Sequence, residues 1–432
     1  MMSLQRRRKS EAAMALAADI KSRMEAIEDR KRARRSDDDV SFLNCIDHML
    51  ADLLRASFLG ESPWVYKPMG RNSFTGETVG HTTFKTCLSL MSSCGFIEVW
   101  KGGSVKNPFY DPTKGSQAFN PGLASRMKAT PSLIRIARRR GLTKSSYYNH
   151  YVIDKPKALI RLKASSTWSE GSKSKGGSMS FDACDATRYF EGVVSSINDY
   201  LFRQEIEGGV FSGYQMIFNE GDKEGFNWNR GGRLYCLGDD SYQMMKKARR
   251  LRMTFNGEPV SEIDVNASWL TVFAGLVSQK LPEGDPYKVR GVDRRLVKAF
   301  VTATLGSDAI PARWPRALKA SLVEDGVVIG RRQSMGILSE EILKALPVLG
   351  LWEETSLRWS DLMFVEAMIM QNAMRKLIDD YDVCCLIVHD SLIVPSSKAS
   401  LAADVIRSSF EARLGVIPRL SSASSKGRLK AI

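Results

Sequence analysis

Residues 384–395, CCLIVHDSLIVP, constrain the fold more than any other stretch of this 432-residue chain. Leu386-Ile387-Val388 and Leu392-Ile393-Val394 are apolar and rich in β-branched side chains, and they flank the polar triplet His389-Asp390-Ser391. That pattern predicts a β-hairpin with a carboxylate at its turn and strands fit for a buried sheet. An Asp so placed is held rigidly and faces outward from the sheet edge, which is what a metal ligand requires. It is equally a residue that turns use for their own sake.

A second carboxylate stands in a comparable place. Residues 259–274, PVSEIDVNASWLTVFA, predict a short strand ending at Asp264 and a helix beginning near Asn266. Alone, Asp264 also reads as a carboxylate at a helix N-terminus. Together, Asp264 and Asp390 could converge on a pair of divalent cations, the arrangement that clamps the attacking and leaving oxygens in phosphoryl transfer. Mg²⁺ is the ion expected, two per site with Mn²⁺ as a substitute, because no Cys or His cluster offers softer ligands. The seven cysteines form no C-x-x-C pair and there are four histidines, so zinc is not expected. An odd thiol count without a secretory signal points to a reducing, cytoplasmic setting. Cys384-Cys385 sits in an apolar run and reads as buried packing.

Between the carboxylates lies RRLVKAFVTATLG, residues 294–306. Arg294 and Lys298 are four apart and project from one face of a helix. Two cations there suit a triphosphate and would neutralise the leaving pyrophosphate, although such pairs are common on surfaces. The overall charge agrees with a polyanionic partner: 63 Lys and Arg against 48 Asp and Glu, a net +15. Nucleic acid is favoured over membrane, since no run of eighteen apolar residues exists to span a bilayer.

The rest of the chain divides by composition. Residues 1–40 alternate basic and acidic blocks, Arg6-Arg7-Arg8-Lys9 through Asp37-Asp38-Asp39, and predict a charged helical arm, frayed at both ends, that lies on phosphates or in solvent. Residues 41–163 predict helix, helix, strand at Phe96–Trp100, long loop, returning strand and a basic helix. This order resembles winged helix-turn-helix domains, and the resemblance implies a nucleic-acid-binding module with Lys101, Arg126, Lys128 and Arg138-Arg139-Arg140 on phosphates; an α+β support domain is the alternative. Residues 164–180 are rich in Gly, Ser and Lys and read as a flexible linker or a long hairpin loop. Residues 181–258 begin with a long helix predicted to close at Gly208-Gly209, and residues 419–432 read as a disordered tail.

A strand-end Asp, then a helix with R-x3-K, then an apolar hairpin bearing His-Asp resembles motifs A, B and C of the family A polymerases, the DNA polymerase I-like enzymes and the single-subunit phage-type RNA polymerases. Asn229-Arg230-Gly231-Gly232-Arg233-Leu234-Tyr235 looks like the motif that precedes motif A there, and Gly284-Asp285-Pro286-Tyr287 like the short Asp-containing segment leading into the fingers. The resemblance covers roughly residues 225–418. It implies an α+β right-hand polymerase core, with an antiparallel palm sheet and helical fingers over residues 259–418 and a thumb-like helix and palm entry over 181–258. It implies a template-directed nucleotidyltransferase, a DNA polymerase or primase acting in DNA replication on a mobile element. Its partners would be a DNA or RNA template-primer, dNTP or NTP, and other replication proteins.

Residue by residue, the resemblance implies that Asp264, Asp390 and the Val265 carbonyl hold two Mg²⁺ ions. Arg294 and Lys298 would bind the β- and γ-phosphates, with Lys298 donating a proton to pyrophosphate. Arg233 would contact the nucleic-acid backbone near the 3′ end, which His389 would position, and Lys246, Lys247, Arg249, Arg250 and Arg252 would line a duplex channel. Departures are present. Trp269 stands where DNA polymerases of the family carry the ribose-excluding Glu; it either binds at the nucleotide sugar, blocking a 2′-OH by bulk, or faces elsewhere. Leu305-Gly306 replaces Tyr-Gly, and Ser391 follows Asp390 as in the RNA polymerases. Asp264 and Asp390 are only 126 residues apart, which implies trimmed fingers, and no exonuclease carboxylate cluster precedes them. A single-subunit RNA polymerase, a nuclease using the same aspartates, and a nucleic-acid-binding replication protein with a vestigial palm are the other readings.

Overall fold

The computed structural model describes residues 2, 4–30, 32–60, 62–74, 77–102, 124–153, 156, 158–169, 172–174, 176–238, 240–425 and 427–431. The loop expected to be a wing falls on residues 103–123 and lies outside the described residues. The chain is a mixed α+β protein with antiparallel sheets, and it divides into two compact units: residues 1–182 with 236–244, and residues 183–235 with 245–432. Among the described residues, no helix is long and apolar enough to cross a membrane.

The first unit runs β1 (Arg6–Arg8), α1 (Glu11–Ile27), α2 (Ser36–Leu59), β2 (Val65–Lys67), α3 (His81–Ser93), β3 (Ile97–Trp100), β4 (Ser125–Ala129), α4 (Pro131–Arg139), α5 (Tyr147–His150), β5 (Tyr151–Ile153), β6 (Ile160–Lys163), β7 (Thr167–Ser169), β8 (Ser172–Ser174) and β9 (Ser178–Met179). Helix α2 is its centre. It is buried almost continuously from Cys45 to Leu54, and its first turn carries Asp37, Asp38 and Asp39, favourable at the positive end of the helix dipole. Helix α1 is capped by the Ser10 hydroxyl and buries Leu16, Ala17, Ile20 and Met24 in one stripe. Strands β2, β4 and β3 form an antiparallel sheet in that order.

The amino-terminal residues are therefore not a free charged arm. Strand β1 pairs with β5, and Arg6 is buried, bonded to Asp52 at 3.3 Å and to Asp240. A basic run folds inward here because α2 offers Asp47 and Asp52 to it, and a buried charge needs such partners. The Gly/Ser/Lys-rich stretch likewise contains strands. Strands β7 and β8 pair as a hairpin, and β9 returns antiparallel to β6, so the stretch belongs to the first unit.

The second unit runs α6 (Asp185–Leu201), β10 (Ile206–Glu207), β11 (Tyr214–Phe218), β12 (Gly231–Cys236), α7 (Lys247–Arg250), β13 (Thr254–Phe255), β14 (Glu258–Val265), α8 (Ser268–Leu276), α9 (Arg294–Leu305), α10 (Arg316–Glu324), α11 (Met335–Ala345), α12 (Trp359–Tyr381), β15 (Leu386–Val388), β16 (Ser391–Pro395), α13 (Ala399–Leu414), β17 (Leu420–Ser424) and β18 (Gly427–Ala431). Helix α6 ends at Leu201, short of the predicted Gly208-Gly209, because Glu205 bonds Asn256 and hands the chain to β10. Strand β14 is the axis of the sheet: antiparallel to β16 along one side, and to β17 and β13 along the other. Residues 420–424 are thus a sheet strand rather than part of a disordered tail, with Leu420 and Ala423 buried. Helices α12 and α13 pack on each other, α12 also on α8 and α13 also on β14.

Candidate active site

Sheet register brings the two aspartates to one end of the sheet. Asp264 pairs across to Ser391, and the Val265 N–H donates to the carbonyl of Asp390 at 3.1 Å. Asp390 occupies the hairpin turn with His389, between the paired Val388 and Ser391. His389 has φ +55°, a left-handed conformation that the tight two-residue turn demands of its first position. Ala267, just beyond β14, has φ +52° and lets the chain turn sharply into α8. Both aspartates are thus followed or preceded by a non-glycine residue in a costly conformation.

Asp264, Val265, Trp269, Arg294, Lys298, Arg233 and Asp390 line one cavity of about 430 Å³, together with Asp285, Tyr287 and Glu366. All of these lie in the second unit. His389 is not in the lining; its ring lies edge-on to Tyr235, 6.0 Å between centroids, and burial lowers its pKa. Arg126 and Lys128 belong to β4 of the first unit, where Lys128 pairs with Glu98 at 2.9 Å.

Strand alternation puts Glu262 and Asp264 on the same face of β14. The side chain of Glu262 is 2% exposed and that of Asp264 33%, so the outer carboxylate alone is offered to solvent. Arg250 grips Glu262 through two bonds of 3.0 Å, and Lys247 stands 3.4 Å from Glu262 and 3.6 Å from Asp264. Arg250 is accordingly buried and committed, and it does not line a channel as the sequence suggested. Burial raises the Asp264 pKa despite the opposing charges of Lys247 and Lys298. Asp390 is pushed up to about 7, first by burial and then by the negative charges of Glu366 and Asp264.

Glu366, buried on α12, is the principal site residue that sequence reasoning missed. Its Oε2 accepts from Arg233 Nε at 3.1 Å and its Oε1 from the Ser268 hydroxyl at 2.6 Å. Burial opposes the charge of Arg233, but Glu366 outweighs it and holds the guanidinium protonated. The paired glycines of β12 make this approach possible. Gly232 has φ +70°, and a Cβ there would come within 3.1 Å of Phe364 on α12, while its carbonyl accepts from Gln371 at 2.7 Å. The available signal was a lone carboxylate in the apolar run LMFVEAMIM. On the other wall, Arg294 Nε bonds Asp285 at 2.5 Å and its guanidinium carbon lies 5.4 Å from the Tyr287 ring centroid. Desolvation works against the ionised form of Asp285, yet the Arg294 bond leaves its pKa lowered. Lys298 is exposed one turn further along α9.

Among the described residues, no three His, Cys, Asp or Glu side chains form a ready-made metal cage. The donors that do meet are oxygens: two carboxylates at the sheet end, whose mutual repulsion and partial burial a dication would relieve. That set fits Mg²⁺, which is held by one or two carboxylates plus substrate phosphates rather than by a full protein cage.

No family model and no curated protein matches this chain. Among solved structures, it is similar to the POL domain of Pol1 from M. smegmatis in complex with DNA primer-template and dNTP, with 15% identity, a TM-score of 0.27, and 56% of this chain aligned to 52% of that one. The chain therefore spans about half the length of that structure.

Proposed function

We propose that the second unit is a template-directed nucleotidyltransferase, with Asp264 and Asp390 at its chemical centre. The observation that carries this reading is the register of β14 with β16, which sets both carboxylates at one sheet end beside a cavity lined by Arg294 and Lys298. Arg294 and Lys298 weigh against a nuclease, which has no triphosphate for two cations on one helix face to hold. Asp264, Asp390 and the Val265 carbonyl would hold the Mg²⁺ ions. Ions bound there would supply Lewis-acid stabilisation of the charge on the transferred phosphate.

The remaining chemistry belongs to the chain itself. Lys298, exposed and without a hydrogen bond to a carboxylate among the described residues, takes the β- and γ-phosphates and can give a proton to the departing pyrophosphate. Arg294 joins it by exchanging Asp285 for phosphate. Arg233, fixed by Glu366 and stacked 5.8 Å from the Trp269 ring centroid, forms a rigid wall beside the nucleotide. His389, neutral through burial, offers a hydrogen bond to a nucleic-acid end next to Asp390.

The test is incubation of the purified chain with Mg²⁺, primed or unprimed template, and labelled dNTPs or NTPs separately. Extension or primer synthesis is expected in at least one combination and should vanish in Asp390→Ala. Absence of product in every combination refutes the enzyme, and product from Asp390→Ala refutes the metal assignment.

A further inference from the structure

The face of the first unit's three-stranded sheet that points away from its core carries a pattern that folding does not require. Strands β2, β4 and β3 alternate, and Val65 and Met127 turn into the core with Val99 packed against it. The opposite face holds a cross-strand row of Tyr66, Arg126 and Trp100, with Glu98 and Lys128 paired in the next row. Trp100 is 68% exposed and Tyr66 47%. Trp64 joins them, its ring 6.0 Å from that of Trp100, with the Lys128 ammonium 4.9 Å from its ring centroid.

We propose that this face is a stacking platform for the unpaired bases of a single-stranded nucleic acid. Large aromatic side chains are normally buried, and three of them grouped on one solvent-facing sheet forfeit that stabilisation without a return inside the fold. Their interleaving with cations matches the two faces a single strand offers. Bases stack on Trp100 and Tyr66, which stand about 10 Å apart across the middle strand, and phosphates meet Arg126 between them. Arg126 is exposed and makes no ion pair among the described residues, so it is available. A duplex presents phosphates to the cations but no base plane to the rings, because its bases are already stacked. Charge complementarity extends along the chain, since β4 leads directly into α4 with Arg135, Arg138 and Arg139 exposed. Glu98 holds Lys128 over Trp64 in the free protein, and an arriving phosphate would take its place. The inference stands on the first unit alone and is independent of the nucleotidyltransferase reading.

The experiment is fluorescence anisotropy of the full chain, in EDTA and without nucleotides, at about 0.1 M salt. Labelled oligo(dT) and oligo(U) of about 16 nucleotides, the upper end of a single-strand site, are compared with a duplex of equal length. Trp100→Ala and Tyr66→Ala should each weaken single-strand binding about five- to hundredfold. Duplex binding should stay within about twofold, and Trp100→Phe should restore most of the loss. Glu98→Gln should tighten single-strand binding. The two single strands separate DNA from RNA as the preferred source. Equal losses on single strand and duplex, or no loss with either alanine variant, overturn the proposal and would leave the face to another class of partner, such as a protein.

Discussion

At the scale of single residues, the site is organised around carboxylates that differ in what they are free to do. Glu262 and Glu366 are buried and saturated by Arg250, Arg233 and Ser268, whereas Asp264 and Asp390 reach the cavity. Truncating one partner of a buried pair leaves the other charge uncompensated, so Glu366→Ala should cost about 3–5 kcal/mol in urea unfolding. The double replacement Arg233→Met with Glu366→Leu should cost clearly less, because it strands no charge. A double-mutant loss equal to the sum of those of Arg233→Met and Glu366→Leu made singly would show that the pair is not energetically coupled. The same contrast explains what could be read in advance. Asp264 and Asp390 announce themselves by strand patterning on either side. Glu366 does not, because its role depends on a contact with Arg233 across 133 residues that no local pattern encodes.

At the scale of elements, backbone geometry fixes where the chemistry points. Ala267 adopts φ +52° between β14 and α8. Ala267→Val should therefore destabilise by about 1–2 kcal/mol, since a β-branched side chain tolerates that region poorly. Ala267→Gly should come out near neutral, strain relief of about 1 kcal/mol being offset by glycine's larger unfolded-state entropy. Guanidinium unfolding checks both, and a stabilising valine would contradict the strain. Helix α1 provides a pH-dependent case. Asp19 bonds Arg23 at 2.8 Å and Arg140 beyond α4 at 2.7 Å, which lowers its pKa. Because the folded-state pKa is depressed, the contribution is present above the unfolded value near 4 and disappears as pH falls through the folded one. Asp19→Asn should thus lose up to about 1 kcal/mol at neutral pH and nothing in strong acid. The hairpin at 386–395 and the strand at 97–100 were legible because alternation and β-branching mark them locally. Strands β1 and β17 were not. Arg6–Arg8 reads as solvent-seeking until α2 supplies Asp47 and Asp52, and the polar run LSSAS becomes a strand only because β14 offers it a free edge.

At the scale of the whole molecule, the basic excess has an observable consequence in binding. Affinity for nucleic acid should fall linearly in log–log plots against salt, with a slope near 0.7 per neutralised phosphate for single strands. A slope indistinguishable from zero would remove phosphate contacts from the account. The topology of the sheet has a consequence of another kind, in the order in which the molecule comes into being. Strand β14 is complete at Val265 and its first two residues can pair at once with β13, but the strands that flank residues 260–265 begin at Ser391 and Leu420. At translation speeds of roughly 5–20 residues per second, β14 waits on the order of ten seconds for its neighbours. During that interval residues 260–265 are an edge on both sides, the condition in which a nascent strand most readily joins a foreign one. A polypeptide stopped short of residue 391 would keep the first unit and the Arg294 and Lys298 cations but could not close this sheet. Premature termination would then yield a species in which residues 260–265 of β14 stay open on both sides and liable to pair with a foreign strand.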